Sequence, residues 1–131
     1  MTVEPQRTPG APEAVGHYSA AVRAGDWVVL AGQLGIDPAS GELADGLEAQ
    51  ARQVLANIAA ILADCGGSLA DIAKTTVFLG VTIDEFAVVN AIYAEAFGAH
   101  KPARTLIEVA ALPRHALIEI EAWAYLPAGN R

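Results

Sequence analysis

The chain has a single cysteine, Cys65. One cysteine can neither close an internal disulfide nor supply a CxxC metal site, and such usage suits a reducing compartment. Basic residues are also few: eight Lys and Arg stand against fifteen Asp and Glu, a formal charge of −7. That field repels phosphate backbones, and no run of basic residues makes a local exception, so nucleic acid is not an expected partner. No apolar run nears the roughly eighteen residues of a membrane span, and Met1 to Ala20 lacks the apolar core of a signal peptide. Charged residues reach only 18% against 53% hydrophobic, the reverse of the balance that keeps chains disordered. The 131 residues therefore read as one compact, soluble, cytoplasmic domain, 1–131. An apolar surplus in so small a domain points to surface buried against other subunits.

Pro5, Pro9, Gly10, Pro12 and Gly16 make residues 1–16 an extended lead-in. A short apolar run from His17 to Val22, a turn at Ala24-Gly25-Asp26 and a β-branched, aromatic run from Trp27 to Gly32 predict a hairpin. Gly35, Pro38 and Gly41 mark a loop. Leu47, Ala51, Val54, Leu55, Ile58, Ile61 and Leu62 then recur at helical spacing, and Gly66-Gly67 end that helix. One short turn at Ser68 to Ile72 and a strand from Lys74 to Leu79 follow. Thr82 and Glu85 fit a capping box for a second helix, with Phe86, Val89, Tyr93 and Phe97 facing inward and Gly98 as its stop. Strands are predicted over Arg104–Leu112 and Leu117–Leu126. The order ββαβαββ is an α+β plan with both helices on one face of a sheet. In the last strand, alternation sets Ile118, Ile120, Ala122 and Ala124 under the helices and Glu119, Glu121, Trp123 and Tyr125 on the other face. Carboxylates in line with large aromatics suit a face that meets another protomer or a ligand.

Most standard catalytic arrangements are missing. His17, His100 and His115 lie far apart with no HExxH or HxH spacing, which favours surface or supporting roles over metal binding. Gly32-Gln33-Leu34-Gly35 opens no helix, so it is not a phosphate loop, and no serine sits in a GxSxG elbow. Cys65 reads as a packing residue. Arg104 begins an apolar strand, and its charge must be exposed at a rim or matched by an anion. A salt bridge to Glu108 or Glu119 is the simpler expectation, a ligand carboxylate held by the guanidinium fork the sharper one. Glu119 is either a solvated face residue or a carboxyl tuned by partial burial for proton transfer. Tyr18 reads by default as a core aromatic.

Taken in order, Ala11-Pro12, Gly16-His17-Tyr18-Ser19, Gly32-Gln33, Gln50-Ala51-Arg52-Gln53 with Asn57, and Lys74-Thr75-Thr76-Val77-Phe78-Leu79 form a pattern. It continues with Phe86, Val89-Asn90, Tyr93, Pro102-Ala103-Arg104, Glu108-Val109-Ala110, Leu112-Pro113 and Ile118-Glu119-Ile120-Glu121-Ala122. From about Ala11 to Ala124 the chain resembles the YjgF/Rid family of enamine/imine deaminases. The resemblance implies a chorismate-mutase-like protomer, of the bacillus type, assembled as a homotrimer with a ligand cleft at each subunit interface. It implies hydrolysis of short 2-imino or 2-enamino acids to 2-oxo acids and ammonia, as metabolite damage control, with no cofactor or metal. Residue by residue, it implies that Arg104 binds the substrate carboxylate and Glu119 positions the attacking water and moves protons. Tyr18 and Asn90 would line the cleft.

Three positions depart from the family pattern. Ala31 stands where archetypal members carry a serine, Leu106 where they often carry a cysteine, and His17 where proline is common. Ala31 removes a polar contact, a loss of about 0.5–1.5 kcal/mol; Leu106 makes the pocket more apolar; His17 is a candidate replacement polar group. Ala31 and Leu106 also motivate a second expectation, a non-catalytic protein that binds small carboxylates on the same trimer. Nuclease activity has been attributed to some relatives, and the −7 charge opposes it here.

Overall fold

The computed structural model describes residues 2–127. The elements are β1 (Val3–Pro5), β2 (Ala21–Ala24), β3 (Trp27–Leu34), α1 (Leu47–Asp64), β4 (Ile72–Leu79), α2 (Phe86–Phe97), β5 (Ala103–Glu108) and β6 (Ile118–Tyr125). They build one six-stranded sheet in the order β1-β2-β3-β6-β4-β5. Every pairing is antiparallel except β4 with β5, which are parallel and joined through α2.

Helix α1 forms because its buried residues, Ala51, Val54, Leu55, Ile58, Ile61 and Leu62, make one continuous stripe. Gly66 takes the left-handed conformation at φ 91° just past its end. The Gly67 N–H then donates back to the Leu62 carbonyl at 2.7 Å, closing the last turn. The stripe packs on Ile118, Ile120, Ala122 and Ala124 of β6, all fully buried, together with Val28, Val77 and Leu79. Two buried amides fasten α1 to the strands beneath it. Asn57 donates both amide hydrogens, to Leu34 O at 3.1 Å and Ile36 O at 2.9 Å. Gln50 donates to Ala44 O and accepts from the Leu117 N–H at 2.9 Å. Gly35 lies against the Gln50 backbone, where a Cβ would come within 2.7 Å.

Several local expectations are corrected. Within the lead-in, Val3–Pro5 pairs with β2 as an edge strand; all three residues are exposed, so no hydrophobic alternation announces it. Thr82 does cap, accepting from the Asp84 N–H, but it opens a 3-10 turn over Ile83–Glu85 and no reciprocal bond from Glu85 completes a box. The reciprocal box is at Ser68 and Asp71. On α2 the buried residues are Val89 and Ile92, whereas Phe86, in the first turn beyond the 3-10 segment, is half exposed. Strand β5 stops at Glu108 and not at Leu112, because β4 ends at Leu79, whose carbonyl takes the Val109 N–H as a last bond. No helix among the described residues is long and apolar enough to cross a membrane.

Candidate active site

A cavity of about 760 Å³ opens between the lead-in, the end of β3 and β6. Tyr18, Ala31, Gly32, Gln33, Arg114 and Glu119 line it, with Pro9, Ala11, Pro12 and Val15 above. The lead-in is fastened over it at two points. The Gly10 N–H donates to the Asp64 carboxylate at 3.0 Å, and Ala11 is buried in the core. The Tyr18 hydroxyl accepts the Val15 N–H at 3.2 Å, across a turn that Gly16 makes at φ 140°. Tyr18 is thus not a core aromatic: half its surface is exposed.

Beside Glu119, the partner strand β3 carries a β-bulge. Leu30 pairs with Ala122 and Gln33 with Ile120, so β3 carries one extra residue at Ala31-Gly32. Bulges of this kind bend a strand and re-aim its side chains. Here the bulge brings Gly32 against the Glu119 side chain, in the space a Cβ at Gly32 would occupy. The glycine is therefore required by a neighbour and not by its own backbone angles. Burial pushes the Glu119 carboxyl above the usual carboxylate range, and the charge of Glu121, two residues along the same face, pushes it further.

Arg104 lies elsewhere. Thr75 of β4 pairs with both Arg104 and Ala122, and residues paired in register share a face. Ala122 faces the helices, as does Thr75, which is fully buried and hydrogen-bonds the Tyr93 hydroxyl of α2 at 3.0 Å. The Arg104 guanidinium accordingly sits over the Tyr93 ring, 5.0 Å from its centroid. Leu106, two residues on, is on this same face, and Asn90 is exposed on α2 one turn before Tyr93. Burial pushes the Tyr93 hydroxyl above its usual value, while Thr75 and Arg104 act in the opposite direction.

The expected residues thus fall into two groups. Glu119, Tyr18 and Ala31 share the cavity; Arg104 and Leu106 lie on the opposite face of the sheet, with Asn90 on the helix that covers that face. His17 is exposed and does not line the cavity. The salt-bridge expectation for Arg104 fails on geometry. Glu119 is across the sheet, Glu108 accepts the Ile83 N–H at 2.8 Å, and among the described residues ion pairs are made by Arg52, with Glu48 and Glu95.

Three contributors were not legible in advance. Gly32 belongs to the Gly32-Gln33 pair of the pattern, but its steric role depends on a distant strand. Tyr93 stands in the sequence as an inward aromatic and as one residue of the pattern, and neither places it under Arg104. Arg114 lies in the connection between β5 and β6; it and His115 both adopt left-handed φ, at 58° and 56°, conformations that neither side chain announces. Arg114 donates to Gly41 O at 3.1 Å across the cavity rim.

A sequence model described as Endoribonuclease L-PSP matches residues 8–126. The chain is 50% identical over 119 residues to a RutC family protein of Pyrococcus horikoshii, covering 90% of this chain and 94% of that one. It is 45% identical over 120 residues to the 2-iminobutanoate/2-iminopropanoate deaminase of Salmonella typhimurium, covering 89% and 93%. The crystal structure of RidA from the Antarctic bacterium Psychrobacter sp. superposes with a TM-score of 0.90 at 44% identity, over 94% of this chain and 99% of that one.

Proposed function

Because the chain belongs to the YjgF/Rid family, whose sequence model carries the description Endoribonuclease L-PSP, we propose that it hydrolyses short 2-imino and 2-enamino acids. The observation that carries this reading is Glu119, a half-buried carboxyl of raised pKa facing a cavity, with the space beside it kept clear by Gly32. A carboxyl poised above its usual range can hold a water, take its proton and return one.

The reaction is R–C(=NH)–COO⁻ + H2O → R–CO–COO⁻ + NH3. Arg104 binds the substrate carboxylate through its paired N–H groups. The water on Glu119 adds to the imine carbon, its proton passing to the carboxylate. Glu119 returns that proton to the nitrogen to give the carbinolamine R–C(OH)(NH2)–COO⁻, then carries the carbinol O–H proton to the same nitrogen as the C–N bond breaks, so that the carbonyl forms and ammonia leaves. The imine carbon is already electrophilic, so placement and one acid/base group are sufficient and no covalent nucleophile is needed. A 2-enamino acid reaches the same carbon after protonation at C3.

Arg104 and Glu119 occupy opposite faces of one sheet, so the reading also requires a second copy of the chain to bring an arginine to each Glu119 cavity. We assign this to a homotrimer with its sites between subunits. The exposed Trp27, Trp123 and Tyr125 on the Glu119 face supply apolar surface for such contact. The family description names an endoribonuclease. The charge of −7, with Glu13, Asp37 and Glu119 around the cavity against Arg114, does not favour a phosphodiester backbone.

The test generates the imine in situ with a threonine or serine dehydratase and lets semicarbazide compete for it. The expected result is faster 2-oxo acid release with the wild type, lost in Arg104→Ala and Glu119→Ala. Full turnover in Arg104→Ala would refute the reading. Silence of the wild type toward C3 and C4 imines, with 2-oxobutanoate still bound, would instead leave the carboxylate-binding protein that Ala31 and Leu106 suggest.

A further inference from the structure

We propose that Tyr93 is a positioning residue for the carboxylate-binding arginine, and that Thr75 fixes it in that role. The inference rests on the deaminase reading and adds what prepares Arg104 to bind. Arg104 sits on β5, an edge strand of the sheet, with one strand neighbour, β4. Its side chain is exposed, and among the described residues it has no carboxylate partner. An arginine side chain with that freedom samples many rotamers and loses them on binding, which weakens affinity.

The structure supplies one constraint, the face of the Tyr93 ring 5.0 Å below the guanidinium carbon. An aromatic face attracts the cation and leaves the edge N–H groups, which a carboxylate needs, open to ligand. The ring is itself held. Its hydroxyl bonds the Thr75 Oγ1 at 3.0 Å, and Thr75 is fully buried in the central part of β4. Phe97 packs beside the ring, with centroids 5.0 Å apart. A rigid strand therefore fixes a ring, and the ring fixes a flexible cation. Thr75 is also the residue whose register sets the face of Arg104, so one strand position determines both the direction and the restraint of the arginine.

Ring and hydroxyl can be separated by mutation. Tyr93→Leu removes the cation's platform, and Tyr93→Phe keeps it while leaving Thr75 without its partner. For the wild-type chain and both variants, KM and kcat are measured in the dehydratase-coupled assay, 2-oxobutanoate affinity by calorimetry, and Tm by differential scanning. Tyr93→Leu is expected to raise KM and the 2-oxobutanoate Kd about two- to fivefold, the range of an exposed cation–π contact, with kcat unchanged. Tyr93→Phe keeps the ring but frees it from Thr75, so its KM is expected to fall between wild type and Tyr93→Leu, with a lower Tm. In an Arg104→Lys background, Tyr93→Leu should raise KM by a smaller factor, because the flat guanidinium that stacks is gone.

Equal KM shifts in the Leu and Phe variants would overturn the proposal, as would a Leu variant whose KM and Kd match wild type. If Tyr93→Leu does not fold, Tyr93→Met takes its place. Wild type that turns over imines while Tyr93→Leu is indistinguishable refutes the positioning role alone. Wild type that neither hydrolyses imines nor binds 2-oxobutanoate refutes the deaminase reading and the positioning role with it.

Discussion

Gly32→Ala is the sharpest perturbation of the Glu119 cavity. A methyl group there would lie closer than van der Waals contact to three atoms of the Glu119 side chain: Oε2, Cδ and Cγ. Gly32 is not among the left-handed glycines, so the backbone itself accepts alanine. The obstructing atoms are the far end of a flexible side chain beside an open cavity. The carboxylate therefore swings aside, the fold survives, and the melting temperature should move by no more than about 3–5 °C, the equivalent of ~1 kcal/mol for a domain of this size. Catalysis should respond far more. The methyl displaces the carboxylate by roughly the 1 Å that can cost 10²-fold in rate, or about 2.7 kcal/mol on the barrier. The assay is kcat for imine hydrolysis with matched melting curves. Full kcat with an unchanged Tm would refute the claim that Gly32 exists to make room for Glu119. A large fall in Tm would refute the claim that the side chain and not the backbone yields.

Other consequences follow from the same geometry. Since Glu119 titrates above the ordinary carboxylate value of 4.5, kcat/KM should fall as pH drops through that raised value; Glu121→Gln should move the acid limb to lower pH. The folded state binds this proton more tightly than the unfolded one, so the stabilising contribution is present below the unfolded pKa and lost as pH rises through the folded pKa. Glu119→Gln should accordingly melt above wild type at pH 7 and close to it at about pH 4, a comparison that calorimetry makes directly. Ala31→Ser, which puts a hydroxyl on the cavity wall, should raise kcat/KM by up to about tenfold, and an unchanged value would mean the hydroxyl has no place in this cavity. Asn57→Ala strands the Leu34 and Ile36 carbonyls beneath α1 and should cost roughly 2–4 kcal/mol by urea unfolding.

The two periodicities made most of the fold legible. The stripe from Ala51 to Leu62 could only be a helix with one buried face, and Gly66-Gly67 ended it as written. The dyad of Ile118 to Tyr125 placed Glu119 away from the helices, and it is there. Val3–Pro5 carried no such signal, because an edge strand exposed along its whole length has no reason to alternate. Thr82 caps without a complete box, because a cap motif announces that a turn begins and says little about whether it opens as a 3-10 or an α-helical turn.

By itself, the sequence determined the class of fold, the family, and the residue types that imine hydrolysis would call on. Within each strand it also determined which side chains lie together, since a pleat alternates with period two. It could not determine how the face of one strand relates to the face of another. That depends on register, which is set by pairings between segments far apart in the chain. Thr75, opposite both Arg104 and Ala122, is where that relation was decided. Only the tertiary structure could therefore separate Arg104 from Glu119, bring Gly32 against the Glu119 carboxylate, and lay the arginine on Tyr93.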